Sequence, residues 1–402
     1  MSPRARRLLW LVIAVGVAAR LIVAFKTYGF LYDMDSLVAV RRALTHHPLH
    51  VYSIVNGHPY NRWPYPPGFF PWILASSGLA SVTGLPYHGF VQVAQIAADG
   101  VIAWLVQDHL GRRGAGERLR LAAASLVALG PSFAIISGYH GHFDSAAFLP
   151  AVLALWLWDR LEPGPGRALI AGVLIGVGAT IKTVPVLMVF ALLPSVRSRR
   201  EVAALILPAI AIPVISLAPF VIADAHGTIH ALRSHRALPG FGGISLAVQP
   251  GLAHQWLFHE PLRVSGVTHF LDVHEFALVA VLMAPFVALV LVRRTPPTEA
   301  AALLWCALPL LTIGFAFEYV IWALPFALMA GYAWQVAAVQ AGLLLPTVIF
   351  EWHPFHPPPT GVYVAIMLAV WVGAVAAVLR LAVSVSRTRS APAGAIPLRS
   401  PS

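Results

Sequence analysis

Hydrophobic and polar positions alternate along this chain on the scale of whole helices. Apolar runs of roughly 20 residues, the length that spans a bilayer, recur from residue 8 to residue 383. Arginine clusters punctuate them at Arg4–Arg7, Arg112–Arg120, Arg160–Arg167, Arg197–Arg200, Arg293–Arg294 and Arg380–Arg389. Positive residues mark cytoplasmic loops, so all six clusters are assigned to that side. Spans follow at 8–25, 88–108, 119–136, 146–160, 202–223, 273–292, 300–316, 319–333, 335–350 and 361–383. Residues 168–181 and 183–196 are short, with basic outer ends, and predict a tight helical hairpin with Lys182 at its tip. The total is about twelve helices with both termini inside. The run 68–83 is set apart: if it crossed, "GYHGHFDS" (138–145) would face the cytoplasm and Arg112–Arg120 the outside. It predicts an interfacial or partly inserted helix in a first outer loop, 26–87. Further outer loops are predicted at 137–145, 224–272 and 351–360. The expected fold is all-α and polytopic, a single transmembrane domain over 1–390 with a disordered cytoplasmic tail at 391–402.

Composition agrees with the pattern. Hydrophobic residues make up 58% of the 402 and charged residues 11%, against about 25% charged in soluble domains; the mean hydropathy is +0.77. A lone cysteine, Cys306, excludes a disulfide framework and a cysteine metal site. The net charge of +11 is accounted for by cytoplasmic arginines and implies membrane lipid, not nucleic acid, as a partner. The first apolar run reads as a signal anchor.

Against this background a few polar groups stand out. Asp33 and Asp35 follow the first span, where mutual repulsion is expected to raise the pKa of one and improve it as a general base. Aromatic residues and prolines in "NRWPYPPGFFPW" (61–72) predict a rigid loop at headgroup level. His140, His142 and Asp144 share one outer turn and suit hydrogen bonds to sugar hydroxyls or a phosphate. Lys182 lies within an apolar run, where a lysine costs roughly 2.5–3.5 kcal/mol on insertion scales and so marks a functional candidate. Arg233 and Arg236 occupy an outer loop against the positive-inside trend, which suggests a bound anion. The adjoining "GFGGIS" allows close backbone approach. Asp99, mid-span, is expected to pair inside the bundle.

These residues together resemble the GT-C superfamily of polytopic glycosyltransferases, over about 8–335. In that superfamily an acid follows the first helix, as in "YDMDSL". Tyr65-Pro66-Pro67 and Gly141-His142-Phe143 are similar to the "YPP" and "GHF" motifs of the ER glucosyltransferases that act on lipid-linked oligosaccharide. Asp33-Met34-Asp35 resembles the Asp-x-Asp of the first GPI mannosyltransferase. Lys182-Thr183-Val184-Pro185 and "EYVIWALPF" (318–326) resemble bacterial members, as does Asp144-Ser145-Ala146 after "GHF", where the ER enzymes have Gln-Tyr-Asn. The resemblance implies inverting transfer of a hexose, mannose or glucose, from a polyprenyl-phosphate donor to a lipid-linked or envelope glycan acceptor. It implies an active site on the non-cytoplasmic face of a bacterial plasma membrane. Asp33 would be the base, with Asp35 a close second. Lys182, Arg233 and Arg236 would bind the donor phosphate. His140, His142, Asp144, Tyr65, Tyr319 and Trp322 would line the sugar or acceptor site. The Asp-x-Asp leaves room for a divalent cation. A transporter or flippase, or a glycan ligase, is the alternative; the chain shows no internal repeat of the kind many transporters carry.

Overall fold

The computed structural model describes residues 1–56, 62–234 and 237–387, and every regular element among them is helical. The principal helices are α1 (Pro3–Lys26), α2 (Leu31–His46), α3 (Phe70–Thr83), α4 (Tyr87–Arg112), α5 (Glu117–Ala128), α6 (Asp144–Trp158), α7 (Pro165–Ile181), α8 (Arg199–Ala223), α9 (Ala225–Arg233), α10 (Glu275–Val292), α11 (Pro297–Leu311), α12 (Val320–Met329), α13 (Ala333–Trp352) and α14 (Thr360–Arg387). Seven stretches are long and apolar enough to cross a membrane: α1, α4, α5 with its continuation to His140, α8, α10, α13 and α14. Shorter apolar helices lie at Asp144–Trp158, Pro165–Ile181, Val184–Ser195, Pro297–Leu311 and Phe317–Met329. The protein is a polytopic, all-helical membrane protein, as the patterning predicts: in hydrocarbon a helix satisfies every backbone group within its own segment. The tail expected at 391–402 lies outside the described residues.

Local chemistry sets the helix ends. Ser2 caps α1 by accepting from the Ala5 amide, with Pro3 at the first helical position. Ser198 caps α8 by accepting from the Glu201 amide at 3.2 Å, and Glu201 reaches back toward the Arg197 amide.

The third span is broken at Gly130-Pro131. Proline has no N–H and interrupts the helical ladder, so nearby carbonyls need other donors. Arg20 of α1 supplies two, Nη2 to Val127 O and Nη1 to Ala128 O, both at 2.8 Å. Gln340 of α13 donates to Leu126 O at 3.0 Å and accepts from the Ser132 amide at 3.3 Å. The Arg20 charge faces Asp99 of α4, its Nε 3.6 Å from Oδ2. Asp99 is thus paired inside the bundle, and the pair joins α1, α4 and the broken helix.

The end of α1 meets the start of α4: Phe25 packs edge-on against Phe90 at 5.2 Å, and Tyr28 against His88 at 5.5 Å. The intervening segment therefore leaves and re-enters at the same end of the bundle, and α3, only 14 residues long, does not carry the chain to the far end. The main core runs between the spans. A second, smaller core caps the end where 27–56 and 62–86 lie, with Leu37, Val51, Tyr52, Trp63, Phe70 and Phe143 at its centre. Large apolar side chains such as Leu207, Ile215, Ile222 and Val281 point outward from α8 and α10, the surface a lipid environment accepts.

Candidate active site

Beneath that cap, five chain segments bring their polar residues together. The broken span ends in a π-turn, Ile136–His140, closed by a bond from the Gly141 amide to Ile136 O at 3.0 Å. Such turns are rare and gather at functional sites. Gly141 adopts φ +84°, a backbone conformation that favours glycine. The turn delivers His140 and His142 into the site.

His140 lies between two carboxylates, with Nε2 2.8 Å from Asp33 Oδ2 and Nδ1 2.5 Å from Glu351 Oε1. Only the doubly protonated ring donates from both nitrogens. Its face stacks on Phe30 at 4.5 Å. A second network adjoins it. His142 Nδ1 donates to Asp144 Oδ2 at 2.7 Å, and the Lys182 ammonium pairs with Asp144 Oδ1. Lys182 follows the last turn of α7 in extended conformation and is buried. Its Nζ sits 4.9 Å from the centre of the Tyr65 ring and 5.4 Å from those of Phe143 and Trp322. Rings and a carboxylate together compensate the buried charge.

The proline-rich segment shapes this cage. Asn56 holds Trp63 through two bonds, accepting from its amide at 2.7 Å and donating to its carbonyl at 3.0 Å, and the Tyr52 hydroxyl donates to Tyr65 O at 2.9 Å. Trp63 and Phe69 then stack on Phe143 at 5.1 and 4.7 Å. "WPYPPGFF" and "GHF", distant in sequence, thus form one aromatic wall. Burial, reinforced by the Asp33 charge, raises the pKa of Tyr65 and keeps it a neutral phenol.

Asp33 and Asp35 diverge. Asp33 faces His140, whereas Asp35 is exposed and accepts from the Tyr28 hydroxyl at 2.9 Å. The expected raising of a carboxyl by mutual repulsion is not what governs Asp33. Burial alone would raise it, but His140, His142 and Lys182 outweigh burial and hold it below its ordinary value. It is the ionised, proton-accepting form that the site favours. The divergence also means that the Asp-x-Asp is not a chelating pair. No group of three or more metal-binding side chains is arranged to hold an ion among the described residues.

Asp33, His140, His142, Asp144, Lys182, Tyr65 and Trp322 are brought together, with Tyr319 packed on Trp322 at 4.4 Å. Arg233 is exposed on the last turn of α9 and makes no hydrogen bond or ion pair with them. Arg236 lies outside the described residues. The close approach allowed by "GFGGIS" is to the chain's own backbone: a Cβ on Gly243, at φ +63°, would lie 2.8 Å from Phe315 Cβ and 3.0 Å from its nitrogen. Two site residues were missed. Glu318 stands inside the motif quoted for Tyr319 and Trp322, and its electrostatic neighbours are His140, His142, Asp33 and Asp144. Glu351 ends α13, an acid at the end of an apolar span, which is the same signal that drew attention to Asp33.

A family model described as Glycosyltransferase family 87 matches residues 63–314. The match takes in the aromatic wall, the histidine turn and Lys182; Asp33, Glu318 and Glu351 lie outside it. No curated protein matches the chain.

Proposed function

The chain belongs to glycosyltransferase family 87 and is a membrane glycosyltransferase; from that premise we propose that it is an inverting hexosyltransferase of GT-C type. Its donor is a polyprenyl-phosphate hexose, mannose or glucose, and its acceptor a lipid-linked or envelope glycan on the outer face of a bacterial plasma membrane. Asp33 removes the proton of the acceptor hydroxyl. The oxygen so freed attacks the anomeric carbon opposite the phosphate, and the bond to phosphate breaks with its electron pair leaving on the polyprenyl phosphate. Inversion needs one base and no covalent intermediate. Positioned base catalysis contributes about 10²–10⁴ in rate, and a fixed cation at the leaving phosphate about as much or more.

Lys182 is that cation. Asp144 and His142 hold it in position, which gives them a supporting role rather than direct contact with the sugar. Arg233 and Arg236 draw the anionic headgroup in by charge. The observation that carries the reading is one site that gathers the Asp33 carboxylate, 2.8 Å from His140 Nε2, and the buried Lys182 ammonium, held by Asp144 and by the Tyr65, Phe143 and Trp322 rings. The test is purified protein in lipid nanodiscs, supplied with a panel of polyprenyl-phosphate sugars and a glycolipid acceptor, with the anomeric configuration of the product read by NMR. Transfer with inversion is expected, lost in Asp33→Asn. Transfer with retention, or from nucleotide sugars only, overturns the reading.

A further inference from the structure

Glu318, Tyr319 and Trp322 fall within five residues where a 3₁₀ turn runs into α12. Each carries polar capacity that no described residue uses. The Glu318 carboxylate makes no hydrogen bond and no ion pair among the described residues, and its Oε2 is buried. Trp322 is 5% exposed, and its indole N–H is buried without an acceptor. The Tyr319 hydroxyl makes no hydrogen bond to a described residue. Asp33, Asp144 and Glu351 are each engaged by histidine or lysine through at least one oxygen, and Glu351 Oε2 and the Trp63 indole N–H are further buried groups at this site with no partner among the described residues. Buried polar groups are ordinarily satisfied, and leaving a charged one unpaired is costly, so a cluster of orphans at one site points to a ligand that completes it.

The chemistry of the orphans selects that ligand. They offer a carboxylate acceptor, an N–H donor that cannot accept, and a hydroxyl that does both. A phosphate is disfavoured, since the negative charges of Asp33 and Asp144 already act on Glu318. A metal ion would gain nothing from an indole N–H. Neighbouring sugar hydroxyls match, each donating to carboxylate or accepting from indole. Glu318 lies in the 3₁₀ turn Phe317–Tyr319 just before α12, and Trp322, in the first turn of that helix, packs on Tyr319 at 4.4 Å. We propose that Glu318, with the Trp322 N–H and the Tyr319 hydroxyl, forms the subsite that reads hexose hydroxyls and determines which sugar is transferred. This rests on the glycosyltransferase reading above and extends it to a residue outside the family match.

The test compares wild type, Glu318→Gln and Trp322→Phe in nanodiscs. Binding of polyprenyl-phosphate mannose, polyprenyl-phosphate glucose, bare polyprenyl phosphate and methyl α-mannopyranoside is measured. Wild type is expected to prefer a sugar-bearing lipid over the bare one; Glu318→Gln should lose about 10- to 100-fold of that preference, the range of a hydrogen bond to a charged group, and Trp322→Phe about 2- to 10-fold, the range of a neutral one. In Glu318→Gln, bare-lipid binding should stay within about twofold. Glu318→Gln replaces an unpaired carboxyl with an amide of the same shape, so its melting temperature should not fall, which separates lost recognition from lost folding. A wild-type protein that ignores the lipids but holds the methyl mannoside through Glu318 assigns the subsite to the acceptor and overturns only the donor. Sugar preference intact in both variants overturns the subsite, whatever the donor proves to be.

Discussion

Asp33 and Asp35 differ in environment because a helix turns about 100° per residue, which places side chains two apart on roughly opposite faces. One meets His140 and the other meets water and Tyr28. Asp33→Asn keeps the shape but cannot take a proton, so kcat is expected to fall about 10²-fold or more while donor affinity holds. Asp35→Asn should change kcat by no more than a few-fold; steady-state kinetics on both variants checks this, and the reverse ranking would transfer the base to Asp35. The pH profile carries a second expectation. A carboxyl held below its ordinary value stays ionised as the pH falls, so Asp33 should impose no acid limb on kcat/KM above about pH 4. Lys182→Met removes a charge that favours the ionised form, and the limb in its residual activity should move toward neutral. A wild-type limb near pH 6 that vanishes in Asp33→Asn would contradict the low pKa. For Lys182 itself, charge is what the leaving phosphate needs: Lys182→Ala should weaken donor use more than Lys182→Arg, and equal donor kinetics in both would remove Lys182 from phosphate binding.

At the scale of elements, the site depends on a helix broken at Pro131 and mended by its neighbours. Arg20 supplies donors for two carbonyls and pairs with Asp99. Arg20→Ala strands all three, and the loss of one partner of a buried pair costs about 3–5 kcal/mol. Unfolding in detergent should show that loss. The double variant Arg20→Met with Asp99→Leu should recover only part of it, because the Val127 and Ala128 carbonyls stay unsatisfied. Full recovery would mean that the ion pair alone mattered. The helices were legible in the sequence because an apolar run in a membrane has one backbone solution, and Asp33, His140 and Lys182 because charge near lipid is costly and conspicuous. The mending of the kink was not legible, since it depends on Arg20 and Gln340 arriving from distant helices. Nor could the glycines of "GFGGIS" be sorted between ligand and packing: close approach looks the same in sequence whether the neighbour is a phosphate or Phe315. Glu318 escaped notice for a related reason. Whether the acid in "EYVIWALPF" has a partner is visible only in three dimensions.

At the scale of the whole molecule, the two ends of the bundle are chemically different. The candidate site gathers the C-terminal ends of α1, α7 and α13 and the N-terminal ends of α6 and α12. The arginine clusters gather at the other end, where Arg113 pairs with Glu299, Arg160 with Asp108, and the Ser2 hydroxyl donates to Glu117 at 3.0 Å. The positive-inside tendency expects the arginine end on the cytoplasmic side, and the proposed function accordingly has the site on the outer face with a polyprenyl-phosphate sugar as donor. The return of α4 to the end where α1 finishes, shown by Phe25 against Phe90, makes this independent of how deeply α3 inserts. With Cys306 replaced by alanine, single cysteines at Ala115 and Tyr139 report the two ends. A membrane-impermeant thiol reagent applied to intact cells should label position 139 and leave position 115 unlabelled until the membrane is opened. Inverted vesicles should give the opposite pattern. Labelling of position 139 from the cytoplasmic side would turn the molecule over and place the site where cytoplasmic sugar nucleotides are available, which would remove the reason to propose a lipid-linked donor. Labelling of both positions from one side would contradict the bundle geometry itself, since α4 runs its full length between the end that carries the site and the end that carries the arginines.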